Sequence, residues 1–269
     1  DFWRDRQESA RGKISNSLEF NERTSTRPNQ ARPERFERYS MTHLIHPFYE
    51  SNRSAMESSM LQRLDLAESL LRERPQLSDI GDIKQAVMAE FDVVLTQLPY
   101  VGGADNRMSN FFMRLIGFLA IGRVLQRKGA SLQTISDIGR LTLQAQGLAM
   151  PEAERLAAGR DYLSPENQAL IRKQAAVSMS ESHRNAFPQD FAYEFVQPGP
   201  NDNFEFGIDY KACGFCKFAA AHGDKEILSS ICGLDFDDYA TRGVHLERTQ
   251  TLAGGASHCN FRFSRARPE

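Results

Sequence analysis

Phe204-Glu205-Phe206-Gly207-Ile208-Asp209-Tyr210-Lys211 decides the fold class. Phe204, Phe206, Ile208 and Tyr210 alternate with Glu205, Gly207, Asp209 and Lys211. Side chains of a strand point to opposite faces in turn, so this period of two predicts a half-buried strand. Before Pro188 the period is helical instead. Met60, Leu64, Ala67 and Leu71 fall on one face, as do Ile83, Val87, Phe91, Val94 and Leu98, with Pro75 separating the two helices. A third helix is expected over about 108–127, ending at Gly129. Ser131 can cap a fourth that runs through Gly147, and Ser164-Pro165 opens one that runs to about His183.

Beyond the strand, residues 214–222 and 224–240 read as helical. Residues 244–252 and 257–263 read as strands joined across Gly254-Gly255 in an antiparallel hairpin. The fold class is therefore α+β: a helical N-terminal half followed by a C-terminal α+β unit with a small, mainly antiparallel sheet. Residues 41–185 form the helical region and 186–269 the cysteine-bearing region, packed as one globular unit. Residues 1–40 are rich in Arg, Glu, Asn and Ser and poor in aliphatics, so a disordered arm is expected there. Met41 opens a segment of different character, where a native start would fit.

Of the 269 residues, 41% are hydrophobic and 25% charged, the balance of a soluble globular protein. A net charge of -2 offers no cationic surplus for nucleic acid. The first 40 residues contain no apolar core of a signal peptide, so a cytoplasmic protein is expected. The most apolar stretch, Phe111 to Leu125, is interrupted by Arg114 and Arg123 and reads as a core helix rather than a membrane span. The expected partner is a small-molecule substrate, with neither nucleic acid nor membrane involved; a homo-oligomer stays open.

The chemistry concentrates in four cysteines, 213, 216, 232 and 259. Cys213-Gly214-Phe215-Cys216 joins a strand end to a helix start, where the helix N-terminus favours a thiolate. The spacing also suits two zinc ligands, and Cys232 and Cys259 could complete four. A second C-x-x-C is missing, so the cofactor stays open between none required and a divalent metal such as zinc. Cys232-Gly233-Leu234-Asp235 sets a thiol and a carboxylate three apart, on one side of a helical turn, where Asp235 could serve as general base. On the last strand Cys259, Phe261 and Phe263 share one face while His258, Asn260 and Arg262 share the other. Cys259 is then either a small core residue or part of a pocket wall. The histidines form no metal-binding pair, and no G-x-S-x-G, Walker A or G-x-G-x-x-G is present.

Several segments together resemble the L-2-amino-thiazoline-4-carboxylic acid hydrolase family over roughly residues 43–265. They are Leu98-Pro99-Tyr100-Val101-Gly102-Gly103 with Asn106, Tyr210-Lys211-Ala212-Cys213, Ile231-Cys232-Gly233-Leu234-Asp235, and Arg248 to Gly255 through Cys259-Asn260-Phe261-Arg262-Phe263. The residue after the last cysteine is Asp in the family pattern and Asn260 here. The resemblance implies hydrolysis of a cyclic C–N bond in a thiazoline amino acid, giving an N-carbamoyl-cysteine type of product. It implies catalytic roles for Cys213, Cys232, Asp235 and Cys259, and gives Cys216 no such support. Substrate contacts would come from Tyr100, Gly102, Gly103, Asn106, Arg248, His258, Asn260 and Arg262, with Arg248 or Arg262 on the carboxylate. The alternative is a non-catalytic small-ligand, redox or metal sensor on the same fold.

Overall fold

In the computed structural model, which describes residues 45–266, helices come first and most of the sheet last. Eight helices open the order: α1 (Pro47–Glu50), α2 (Arg53–Arg72), α3 (Ile80–Gln97), α4 (Met108–Arg127), α5 (Leu132–Leu148), α6 (Glu152–Leu163), α7 (Pro165–Met179) and α8 (Glu181–Ala186). Strands β1 (Ala192–Val196) and β2 (Phe206–Ala212) follow. Then come α9 (Gly214–His222), α10 (Lys225–Cys232), α11 (Leu234–Ala240), β3 (Val244–Glu247) and β4 (Cys259–Arg265). This is the α+β class expected from the alternation at 204–211. The described residues all fall within one compact unit. The expected arm over residues 1–40, and Met41, lie outside the described residues.

The helix starts follow their capping residues. Ser131 accepts from Thr134 N at 3.1 Å and Ser164 from Asn167 N at 3.2 Å, with Pro165 at the first helical position. The helix opened by Ser164 ends at Met179 rather than near His183, because Ser180 turns the chain and caps α8 through His183 N. α4 is the centre of the helical half. By length and composition it is apolar enough to cross a membrane, yet it is mostly buried inside the protein. Its two interrupting arginines are both paired. Arg123 meets Glu90 at 2.9 Å and Asp224 at 2.5 Å, and Arg114 meets Asp238 at 2.9 Å.

The sheet order is β1-β2-β4-β3 with every neighbour antiparallel. One face carries Tyr193, Phe206, Ile208, Cys259, Phe261 and Phe263, all buried, against the helices. The other carries Glu194, Asp209 and Asn260, which sit opposite one another in register, and Arg262 two residues further along β4. Gly207 lies across from Arg262. A Cβ there would stand 2.8 Å from Arg262 Cδ, so glycine lets the arginine lie flat and reach Asp209 Oδ1 at 2.8 Å.

Three local readings are corrected. β1 was not expected. The helix expected over 224–240 is two helices, broken at Gly233. The strand expected through Leu252 stops at Glu247, and the connection over 248–258 is longer than a short hairpin loop. The cause lies in β4. Asn260 Oδ1 accepts from Thr249 N at 3.0 Å and Gln250 N at 2.9 Å, and Cys259 Sγ accepts from Leu252 N at 3.1 Å. Side chains have taken the N–H groups that a longer ladder would have used.

Candidate active site

β2 runs into α9 at Cys213. The junction packs tightly: a Cβ on Gly214 would lie 2.8 Å from Gln189 O and 2.9 Å from the rings of Phe112 and Phe191. Cys213 is the extended residue before the helix, and Cys216 sits in its first turn. The two thiols interact: each shifts the other, lowering Cys216 to about 7 and, with burial, holding Cys213 well above the usual thiol range. The easily ionised thiol is therefore Cys216, the cysteine that the resemblance left unsupported.

Cys232 ends α10, and burial, then the nearby Asp235 carboxylate, push its thiol up to about 12. Cys259 opens β4 opposite Tyr210, and burial raises it while the Leu252 N–H works in the other direction. The thiols lie within electrostatic reach of one another: Cys232 feels Cys216 and Cys259, and Cys213 feels Cys232. They do not form a metal cage. Among the described residues no group of three or more His, Cys, Asp or Glu side chains is placed to hold a metal ion, so the residues present do not fit the zinc alternative.

The break at Gly233 puts Cys232 and Asp235 on separate helices, and Arg248 ties them together. Its Nη1 donates to Asp235 Oδ2 at 2.7 Å and its Nη2 to Cys232 O at 2.9 Å. Phe236 and Phe261 flank the guanidinium, with ring centroids 4.8 and 5.0 Å away. The Arg248 side chain is 7% exposed, and that of Asp235 is 38% exposed. Surrounding protein mass raises the Asp235 carboxyl to about 6, against the downward pull of Arg248. A carboxylate that titrates near neutrality and stays open to water can serve as a general base.

Residues 141–263 match the L-2-amino-thiazoline-4-carboxylic acid hydrolase family. The match spans a little under half of the chain and covers all four cysteines, Asp235 and Arg248, so the resemblance read from the sequence holds over that stretch. Leu98 to Asn106 falls outside it. No curated protein and no solved structure matches the chain.

The remaining expected substrate contacts divide into two groups. Tyr100, Gly102, Gly103 and Asn106 sit on the helical side. Gly102 and Gly103 have φ of +111° and +63°, a turn that glycine takes without strain, and Tyr100 stacks on His46 at 3.8 Å. The Asn106 amide is fully used. Its Nδ2 donates to Val101 O and Asp190 Oδ2, both at 2.6 Å, and its Oδ1 accepts from Met108 N. Asp190 is buried and also meets His183 Nε2 at 2.8 Å. Lys217, on α9, ties this cluster to the thiols by donating to Pro188 O and Asp190 O.

The second group lies on the outer face of the sheet. Arg262 and His258 both turn to Asp209, at 2.8 and 3.6 Å, and Asn260 holds the loop. Cys259 faces inward, so β4 divides Cys259 from Asn260 and Arg262 by strand alternation. Both arginines expected on the substrate carboxylate have acid partners of their own, Arg248 in Asp235 and Arg262 in Asp209. Sequence reasoning missed a third cation. Arg107, just before α4, is partly exposed and lies within electrostatic reach of Tyr162, Tyr193, Tyr210 and Tyr239. Those tyrosines are scattered over almost eighty positions, so no local pattern could have gathered them.

Proposed function

We propose that the protein is a hydrolase that opens the ring of a small carboxylated cyclic amidine, of the L-2-amino-thiazoline-4-carboxylate type. One observation carries the reading: the Asp235–Arg248 pair at 2.7 Å, its carboxylate end open and raised to about 6, inside the segment that matches the hydrolase family. Asp235 takes a proton from water as the water oxygen adds to C2 of the ring. It then returns that proton to the ring atom that leaves. Arg248 orients the carboxylate and does not touch substrate. Cys232 and Cys259 keep their protons at neutral pH and form the wall beside it.

The tetrahedral adduct has two ring exits. Breaking the bond from C2 to sulfur gives N-carbamoyl-cysteine with a free thiol. Breaking the ring C–N bond gives the S-carbamoyl isomer with a free amine. The N-carbamoyl product implied by the family resemblance thus requires the C–S bond to break. Incubation of purified protein with L-2-amino-thiazoline-4-carboxylate tests the reading: a product one water heavier is expected, and thiol titration tells the isomers apart. Absence of turnover at saturating substrate overturns it.

A redox sensor on the same fold is the second reading, favoured by two free thiols, Cys213 and Cys216, one helical turn apart that shift each other's ionisation. Reversible oxidation of that pair by hydrogen peroxide, without thiazoline turnover, would support it.

A further inference from the structure

Arg63 holds its charge where a charge is costly. It shares the buried face of α2 with Met60 and Ala67 and is 5% exposed. Its guanidinium lies over the Phe118 ring at 3.7 Å, and its Nε donates to Gln146 Oε1 at 2.9 Å. Among the described residues its two Nη groups have no acceptor, and neither is closed off from accessible space. Among those residues, too, no carboxylate stands within ion-pair distance of it. The acid whose charge reaches it, Asp238, is already shared by Arg114 at 2.9 Å and Arg242 at 2.6 Å. A guanidinium keeps its proton inside a protein, so burial leaves a charge to be matched, and the face of Phe118 offsets only part of the cost.

A cavity adjoins that charge. Its volume is about 20 Å³, and Arg63 lines it together with Phe118, Ser136, Thr142, Ser230 and Leu234, at the junction of α2, α4, α5 and the α10–α11 bend. The polar part of the lining offers donors. Ser136 Oγ reaches Ser230 O only at 3.5 Å, and Ser230 Oγ reaches Leu132 O only at 3.4 Å and Glu226 O at 3.5 Å. These separations exceed the usual length of a hydroxyl hydrogen bond, so both protons can turn to a better acceptor. Thr142 does not compete for one, because its hydroxyl already donates to Ile138 O at 2.8 Å. No carboxylate is among the lining residues.

Size and charge together select the ligand. A cavity of this volume takes about one particle the size of water. Carboxylates, phosphates and sulfate have several heavy atoms and do not fit. Water fits but leaves the guanidinium unmatched. A halide ion is only slightly larger than water, accepts from every donor in the lining and brings the missing charge. We propose that this cavity binds a single chloride ion, held by the Nη groups of Arg63 and the hydroxyls of Ser136 and Ser230.

The position gives such an ion a structural consequence. Ser230 and Leu234 bracket Cys232 and Gly233, so a chloride between Arg63 and Ser230 ties α2 to the bend that brings Asp235 to Arg248. Binding of the ion does not depend on the hydrolase reading.

Melting in gluconate buffer at fixed ionic strength, with chloride or bromide exchanged in, reads the site. The wild-type Tm should rise with halide concentration, as mass action requires of an ion bound only by the folded state, and acetate, too large for the cavity, should give no rise. Arg63→Met should abolish the response and Arg63→Lys should keep part of it. Ser136→Ala combined with Ser230→Ala should raise the apparent halide Kd about tenfold or more. No response in wild type, or a response of equal size in Arg63→Met, overturns the site. Where Arg63→Met fails to fold, the double serine variant decides, and an unchanged Kd overturns the site. Diffraction from crystals grown in bromide locates the ion. An anomalous peak within hydrogen-bond distance of Arg63 Nη and Ser230 Oγ is expected; water at that place, with bromide elsewhere or absent, overturns the proposal. None of these readouts uses a thiazoline, so a protein that binds halide and turns over no substrate keeps the site and loses the hydrolase reading.

Discussion

Arg248 and Asp235 form an asymmetric pair: the guanidinium is sealed between Phe236 and Phe261 while the carboxylate it holds at 2.7 Å faces water. An ordinary surface ion pair exposes both ends and fixes neither. Here the cation is fixed and the base is presented.

Asp235→Asn should lower kcat by about 10²- to 10⁴-fold, the usual contribution of a general base. In wild type kcat/KM should rise with pH through about 6 and level off above, since the base works deprotonated. Arg248→Met removes the charge that favours the ionised form, so the rising limb should move to higher pH. A pH–rate profile with no limb near 6 would remove Asp235 from the mechanism.

Alkylation should find Cys216 first. At pH 7 a thiol titrating at about 7 is half ionised, whereas Cys213, Cys232 and Cys259 are all raised. Differential labelling with iodoacetamide, read by mass spectrometry, measures the order. Cys213→Ala deletes the neighbouring thiol that lowers Cys216 and should slow its labelling by roughly tenfold or more at neutral pH. Equal labelling of all four would contradict the arrangement.

Asn260→Asp should be tolerated, because a carboxylate oxygen can also accept from Thr249 N and Gln250 N. Asn260→Ala should cost about 1–3 kcal/mol and speed proteolysis within 248–258, since two N–H groups lose their acceptor. Denaturant melts of the two variants give the comparison. This position has a structural duty, which explains how the family's Asp and the Asn found here can serve alike.

Arg123→Met should destabilise by about 3–5 kcal/mol, leaving the buried Asp224 without its cation while Glu90 keeps Arg127. Substrate KM of the folded fraction should not change. Glu90 is held below its ordinary range by Arg123 and Arg127 against burial, so the stability it contributes is present above the unfolded carboxyl value and is lost as pH falls through its depressed folded value.

Much of this architecture is legible in one dimension. The alternation at 204–211, the caps at Ser131 and Ser164, and the split of β4 into Cys259 and Asn260 faces all follow from local spacing. The end of β3 does not, because Asn260 and Cys259 claim its N–H groups from across the loop. Asp235 and Arg248 stood out separately for their chemistry, but their pairing depends on the bend at Gly233.

The strand order has a consequence for how the protein is made. β4 lies between β2 and β3, so each has an open flank until residues 259–265 leave the ribosome. During synthesis the aromatic face of β2 has only β1 for a neighbour, and the nascent chain presents an unpaired edge that other chains can extend. Because Cys259 and Asn260 arrive on the same strand, the 248–258 loop takes shape in the step that closes that edge.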